Sequence, residues 1–174
     1  MTNMTTKIAV GLERAFAARG FSEPSVEDLR EAASVSLRTL YKYAPSRDAM
    51  VHMALEHRHR RYINHVFGDP KYQAAQPIET TLDRIANWMK TEASHGCLFH
   101  AAVACAPDDQ ELRRLLERHK SEVCSLAVAI SDETVIETDL MIIIEGLTQA
   151  WPLCKDAALA SAKRLARLAA SSPI

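Results

Sequence analysis

The sequence predicts an all-α fold of about nine helices, with a small N-terminal three-helix unit followed by a larger helical domain. Three observations predict it. Apolar residues recur at i, i+4, i+8 along most of the chain, as at Ile8, Leu12 and Phe16. No segment alternates apolar and polar residues at the period of a strand, and there is no internal repeat. Only five glycines in 174 residues leave little material for the turns of a loop-rich or all-β fold. With 48% apolar and 25% charged residues, the chain has enough apolar mass for a true core.

The elements follow in order. Ile8, Leu12 and Phe16 set the first helix, and Gly20 can close it with a left-handed cap. Ser25 starts a second, short helix that runs through Leu29 to Ala32 or Ala33. Asp28, three residues on, can reach back to the Ser25 amide in an approximate capping box. Ser36 starts a third helix, which ends near Tyr43 because Pro45 disfavours helical backbone at Ala44. Ser46 caps a long fourth helix with Met50, Met53, Ala54, His57 and Tyr62, ending around Phe67 to Pro70. The loop KYQAAQP leads to a fifth helix holding Ile78, Leu82, Ile85 and Met89. His95 and Gly96 break the chain before a short sixth helix, LFHAAVACA. The seventh aligns Leu112, Leu115, Leu116, His119, Val123, Leu126, Ala127 and Ile130 on one face. The eighth, from Val135 and Ile136 onward, is apolar on more than one face and is expected to end at Trp151-Pro152. An alanine-rich ninth helix runs from about Asp156 to Ala170.

Composition excludes some classes and leaves others. The longest apolar runs are five or six residues, where spanning a bilayer takes about 20. The N-terminus lacks a sustained apolar segment with a cleavage site, so no signal peptide is read and a cytoplasmic protein is expected. Cys97, Cys105, Cys124 and Cys154 have no CxxC spacing and lie in apolar helical patterns, which reads as buried, reduced thiols with no metal or cofactor. The run EHRHRR, Glu56 to Arg61, reads as a solvated cationic face of the fourth helix rather than a metal site. Residues 1 to 67 carry ten Lys/Arg and seven Asp/Glu, while the remainder carries eleven and fifteen. A mildly basic front half beside an acidic back half suits one polyanion-facing module and one that faces something else.

The stretch SVSLRTLYKY, Ser34 to Tyr43, sits where the basic half could meet a polyanion. Two short helices joined by a tight turn, with a third behind them, form a helix-turn-helix whose second helix enters the major groove of DNA. Val35 and Leu40 can point into the core. Ser36 leaves helix N-terminal amides near a phosphate. Leu37, Arg38 and Thr39 occupy the first turn, where Arg38 can pair with guanine O6 and N7 and Leu37 can meet a thymine methyl. Tyr41, Lys42 and Tyr43 suit phosphate oxygens. On composition alone, a plain surface helix with a snorkelling Arg and Lys accounts for the same residues equally well.

The order of residues resembles the DNA-binding domain of the TetR (tetracycline-repressor) family of bacterial transcriptional regulators. The resemblance is carried by AFAARGF, Ala15 to Phe21, and by SVEDLREAASVSLRTLYKYAPSRDAM, Ser25 to Met50. Within it Ser25, Val26, Leu29, Ala33, Val35, Ser36, Thr39, Leu40, Tyr41, Ser46 and Arg47 match the family pattern or substitute closely. HGCLFHAAVACA, His95 to Ala106, resembles the family's sixth-helix region at the expected distance. Three positions depart from the pattern. Ser34 replaces the usual turn glycine, Ala44 replaces a phenylalanine anchor, and Leu37-Arg38 is an uncommon start to the recognition helix, so no operator sequence can be borrowed.

The resemblance implies a DNA-binding domain over residues 1–48 and a helical ligand-binding and dimerisation domain over 49–174. Ser25, Ser36, Leu37, Arg38, Thr39, Tyr41, Lys42, Tyr43 and Arg47 are the expected DNA-facing residues. The partners expected are a palindromic double-stranded operator, a second copy of the chain and a small, largely apolar effector. The eighth helix, apolar on several faces, and the ninth, with Ala158, Ala162, Leu165, Ala166 and Ala169 on one side, suit a four-helix contact between two copies, with Lys163, Arg164 and Arg167 left to solvent. Trp88, Phe99, His100, Met141 and Trp151 are the effector-site candidates, although each also reads as ordinary core. The rival function is an enzyme or small-molecule carrier that uses the helix-turn-helix as scaffold. Its support is Cys97, His100 and Cys105 close in sequence, but no carboxylate or other base is spaced to activate a nucleophile.

Overall fold

The computed structural model describes residues 3–68, 76–131 and 136–171. Among them lie nine helices: α1 (Met4–Arg19), α2 (Val26–Ala33), α3 (Leu37–Tyr43), α4 (Arg47–Phe67), α5 (Ile78–Glu92), α6 (Leu98–Cys105), α7 (Gln110–Ile130), α8 (Glu137–Cys154) and α9 (Asp156–Ala170). No strand occurs among the described residues, only a single bridge between Gln76 and Ser131. Val135 and most of the KYQAAQP loop lie outside the described residues.

The chain divides into two compact units. The first holds residues 1–61 and 98–116, and the second holds 62–97 and 117–174. In the first, α1 packs on α2 and α2 on α3. Ile8, Leu12, Phe16, Leu29, Leu40 and Met50 are fully buried and form its apolar interior. Phe16 and Phe21 stack with ring centroids 4.9 Å apart. Gly11 permits the closest approach: a Cβ there would lie 2.6 Å from the Ala33 nitrogen, with the Ala33 Cα and the Ala32 carbonyl nearer still. The neighbours are backbone atoms, so nothing can move aside.

Glu13 lies inside this unit and meets three side chains of α4. It accepts from His57 Nδ1 at 2.5 Å, from Arg58 at 3.1 Å and from Arg61 at 2.7 Å. The EHRHRR run is therefore not a solvated cationic face, since His57, Arg58 and His59 are all buried. Burying a carboxylate is costly unless it is paired and hydrogen-bonded, and Glu13 supplies the charge that lets those side chains go inside.

In the second unit, α8 packs most extensively on α9, and α5 packs on both. Ile78, Leu82, Ile85 and Met89 of α5 join Leu140, Ile143, Ile144, Leu147 and Trp151 of α8 in one core. The small residues Ala158, Ala162 and Ala166 of α9 are buried in that same core. They let α9 approach its own chain closely, and so they do not form the outward face expected for a second copy. Lys163 and Arg167 are not simply left to solvent either. Lys163 pairs with Asp83 at 2.6 Å and the Arg167 guanidinium pairs with Glu79, which ties α9 to α5. α8 continues past Pro152 to Cys154 rather than stopping there. Pro152 removes one backbone donor from the last turn, and the helix continues despite that loss.

The cysteines are more varied than their apolar surroundings suggested. All four are free, but only Cys124 is buried; Cys105 and Cys154 are exposed and Cys97 is half-buried.

Candidate nucleic-acid interface

The interface is built from caps and one tight turn. The Ser25 side chain accepts from the Asp28 amide at 3.2 Å while the Asp28 carboxylate accepts from the Ser25 amide at 2.8 Å, a complete capping box. The same carboxylate accepts the Ser25 hydroxyl at 2.5 Å and pairs with Arg19 at 3.1 Å. The Ser25 hydroxyl bond, then the backbone bond, then Arg19 hold the Asp28 carboxyl below the usual carboxylate range.

α2 ends at Ser34, in the left-handed region at φ 52°, ψ 51°. The Ser34 amide closes the helix on the Glu31 carbonyl at 2.9 Å, and Lys7 Nζ donates to the Ser34 carbonyl at 2.8 Å. The chain then turns directly into α3. The Ser36 hydroxyl accepts the Thr39 amide at 3.1 Å and lies 2.8 Å from the Thr39 hydroxyl. At the far end Ala44 is completely buried beside Leu40, so the position that lacks an aromatic anchor is still sealed into the core. The next cap is Ser46, whose hydroxyl accepts the Ala49 amide at 3.1 Å.

These constraints present one side of α3. Leu40 is fully buried, while Leu37 and Tyr41 are 41% and 45% exposed. Arg38 and Lys42 are exposed beside them. Two i, i+4 pairs thus run along adjacent faces, one apolar and one cationic. Among the described residues Arg38 forms no hydrogen bond or ion pair, and Lys42 rests its ammonium 5.8 Å from the Tyr43 ring centroid. Tyr43 and Thr39 are half-buried. The remaining candidates are committed elsewhere. Arg47 donates to the Phe21 carbonyl at 2.6 Å and lies over the Phe16 ring, which fixes it in the fold of its own unit. Ser25 and Ser36 use their hydroxyls as caps.

The back-half candidates divide between the two units. Phe99 and His100 belong to the first unit, while Trp88, Met141 and Trp151 belong to the second. Phe99, Trp88 and Trp151 are buried; His100 and Met141 are half-buried. Trp88 meets Tyr62 and His65 edge-on, at 5.3 Å and 5.4 Å between ring centroids. None of the five lines the groove of about 390 Å³ between α8 and α9, where Ile142, Gly146, Ala150, Ala157, Ser161 and Leu165 are among the lining residues. Sequence reasoning also missed the polar group around Lys120. Lys120 Nζ lies 2.7 Å from Glu145 and 3.6 Å from the Cys97 sulfur. The signal available was Lys120 and Cys124 at i, i+4 on a helix face otherwise read as apolar. Among the described residues no cluster of His, Cys, Asp or Glu could hold a metal ion, and no helix is long and apolar enough to cross a membrane.

Residues 9–54 match the family model for bacterial regulatory proteins of the tetR family. No curated protein sequence matches the chain. Solved structures do, over nearly its whole length. A TetR-family transcriptional regulator from Streptomyces coelicolor superposes with a TM-score of 0.73 at 17% identity, covering 96% of each chain. GusR from Salmonella enterica gives 0.71 at 14% identity, covering 97% of this chain and 96% of its own. Reduced NemR from E. coli gives 0.69 at 16% identity, covering 99% of both. The matched segment contains the capping box, the Ser34 turn and all of α3. Residues 9–54 are thus similar to the tetR-family model, and they stand at the front of a chain whose fold resembles that of solved TetR-family transcriptional regulators.

Proposed function

We propose that this chain is a cytoplasmic, ligand-responsive repressor that binds a palindromic operator as a homodimer. The observation that carries the reading is the exposed side of α3, where Leu37, Arg38, Tyr41 and Lys42 stand clear of a core anchored by Leu40 and Ala44. Residues 1–48 hold DNA and residues 49–174 dimerise and take the effector. Arg38 reads a guanine and Leu37 a thymine methyl, while Lys42, Tyr41 and Tyr43 meet phosphates. Thr39, Ser36 and Ser25 shape and orient the helix, and Arg47 braces it from behind.

Dimerisation through α8 and α9 is supported by what those helices leave outside. Ile142, Leu153, Leu165 and Leu168 are 66%, 87%, 50% and 60% exposed, next to the apolar groove. Large apolar side chains gathered on one face favour burial against a partner. Two copies then present two α3 helices to inverted half-sites, about 34–36 Å apart for one turn of duplex. A largely apolar effector, taken near Trp88, Met141 and Trp151 or near Phe99 and His100, needs a coupling of only about 1–3 kcal/mol to change operator affinity some 5- to 150-fold. The regulator reading is supported over the enzyme reading, in which the helix-turn-helix is scaffold. Selection of bound DNA from a random duplex pool tests the proposal. An inverted repeat should be enriched; a motif without twofold symmetry, or no enrichment, rejects it.

A further inference from the structure

Three cationic side chains converge on the turn that leads into α3. Lys7 Nζ donates to the Ser34 carbonyl at 2.8 Å, Arg14 Nη2 to the Ala32 carbonyl at 2.9 Å and Arg30 Nη1 to the Val35 carbonyl at 3.4 Å. Arg30 belongs to α2 and reaches only across the end of its own helix, whereas Lys7 and Arg14 come from α1. They stand seven residues apart with Gly11 between them, so all three share one face of that helix. Gly11 sets α1 directly against the Ala32 and Ala33 backbone. The two cations reach the carbonyls that flank Ala33 in the chain.

The last carbonyls of a helix have no partner within it, and the helix dipole favours positive charge there. Ser34 adds a second demand. It is left-handed, at φ 52° and ψ 51°, which a residue with a side chain holds only when its surroundings impose it. In that form the Ser34 and Val35 amides close α2 on the Glu31 and Arg30 carbonyls at 2.9 Å and 3.3 Å. A slip to the right-handed region would lengthen α2, release those bonds and turn Ser36 and α3 to another direction. Leu40 is the one buried residue of α3, so the helix itself does little to resist such a change.

We infer that Lys7 and Arg14 are positioning residues for sequence recognition: from α1 they hold a strained turn in the form that aims α3. A turn glycine would need no such hold. The inference rests on the DNA-binding reading above. The two cations act through the backbone of Ser34 and Ala32, not on the duplex. Without them α3 still forms, but it samples a wider range of directions, and fewer molecules present Arg38 and Leu37 to the bases together.

Lys7→Met in the full-length chain, alone and combined with Ser34→Gly, tests this. Affinity is read for the selected operator and for single-base changes in it, at several salt concentrations. Lys7→Met should weaken operator binding about fivefold and narrow the gap to the changed sites, with the salt slope unchanged. Arg14→Met should shift both in the same direction, and Lys7→Arg, which keeps a donor, should behave as the parent. In the Ser34→Gly background, where the turn relaxes without help, Lys7→Met should lose less than about twofold. A loss of the same size in that background overturns the inference, and a salt slope lower by about one then makes Lys7 a direct phosphate contact. A Lys7→Met chain that binds and discriminates like the parent overturns it too. Amide hydrogen exchange judges the hold with no DNA present. The Val35 amide should exchange about fivefold faster in Lys7→Met, and the same substitution should change nothing in the Ser34→Gly background. Unchanged exchange in Lys7→Met rejects the hold whatever the duplex results. A parent that binds no duplex ends the repressor reading and the recognition role with it, while the exchange rates still decide whether α1 holds the turn.

Discussion

Ser34 occupies a left-handed backbone at φ 52°, a conformation that costs an L-residue about 1–2 kcal/mol. Glycine would relieve that cost but lose about 0.5–1 kcal/mol to the freedom it gains when unfolded. Ser34→Gly should therefore stabilise the chain by up to about 1 kcal/mol, seen as a rise of about 2–4 °C in Tm. It should leave operator preference unchanged, because the backbone entering α3 is already the one glycine favours. Gly11 gives the opposite result. Gly11→Ala drives a methyl into the Ala33 backbone and should cost about 1–3 kcal/mol by calorimetry or denaturant titration. Asp28 carries an acid dependence. Its carboxyl titrates below its unfolded value, so its contribution is present above that value and is lost as the pH falls through the folded one. The acid limb of a stability–pH curve should shift toward flatness in Asp28→Asn, with no change near neutrality in its slope. Of these three residues, Ser34 and Asp28 were legible in the sequence: one as a departure from a glycine turn, the other as the third position after a serine cap. Gly11 was not, since close backbone contact between helices leaves no local pattern.

At the scale of helices, periodicity located every element among the described residues. The ends that had clear chemical causes, Ser25, Ser36, Pro45 and Ser46, are the ends observed. The misreadings concern what each face touches. EHRHRR was legible as a cationic stretch, but its counter-charge lies 44 residues away at Glu13, beyond any local window. The alanines of α9 were legible as a close-approach face, but sequence cannot say whether the approach is to the same chain or another. On α3 the two exposed i, i+4 pairs separate two kinds of contact. Arg38→Ala should relax base preference at one position of the half-site, while Lys42→Ala should weaken all duplexes alike and reduce the salt slope by about one. Fluorescence anisotropy across a mutated operator panel, repeated at several salt concentrations, distinguishes them. Equal behaviour of both variants with the parent would remove α3 from the interface.

For the molecule as a whole, the test is stoichiometry. Leu165→Glu, at a half-exposed apolar position beside the α8–α9 groove, should yield a folded monomer in sedimentation experiments and abolish high-affinity operator binding. A parent that sediments as a monomer at micromolar concentration would contradict the assembly outright. The front helix-turn-helix was legible because its caps and turn are local signals. The proposed effector residues have no such local signal, and Trp88, Met141 and Trp151 fall in one unit while Phe99 and His100 fall in the other. A cavity is a property of packing among distant segments, and side-chain type alone does not mark it.

The Glu13 cluster bears on how such a protein would find its target. The first 67 residues carry a formal surplus of three positive charges with Glu13 already counted, but Arg58 and Arg61 are both held on that one internal carboxylate. Lys7 and Arg14 are likewise turned onto the carbonyls of Ser34 and Ala32. Few mobile cations remain to grip a polyanion without regard to its sequence. Residence on unrelated duplex should therefore be brief, with the search made of many short encounters from bulk solvent rather than long one-dimensional excursions along the helix.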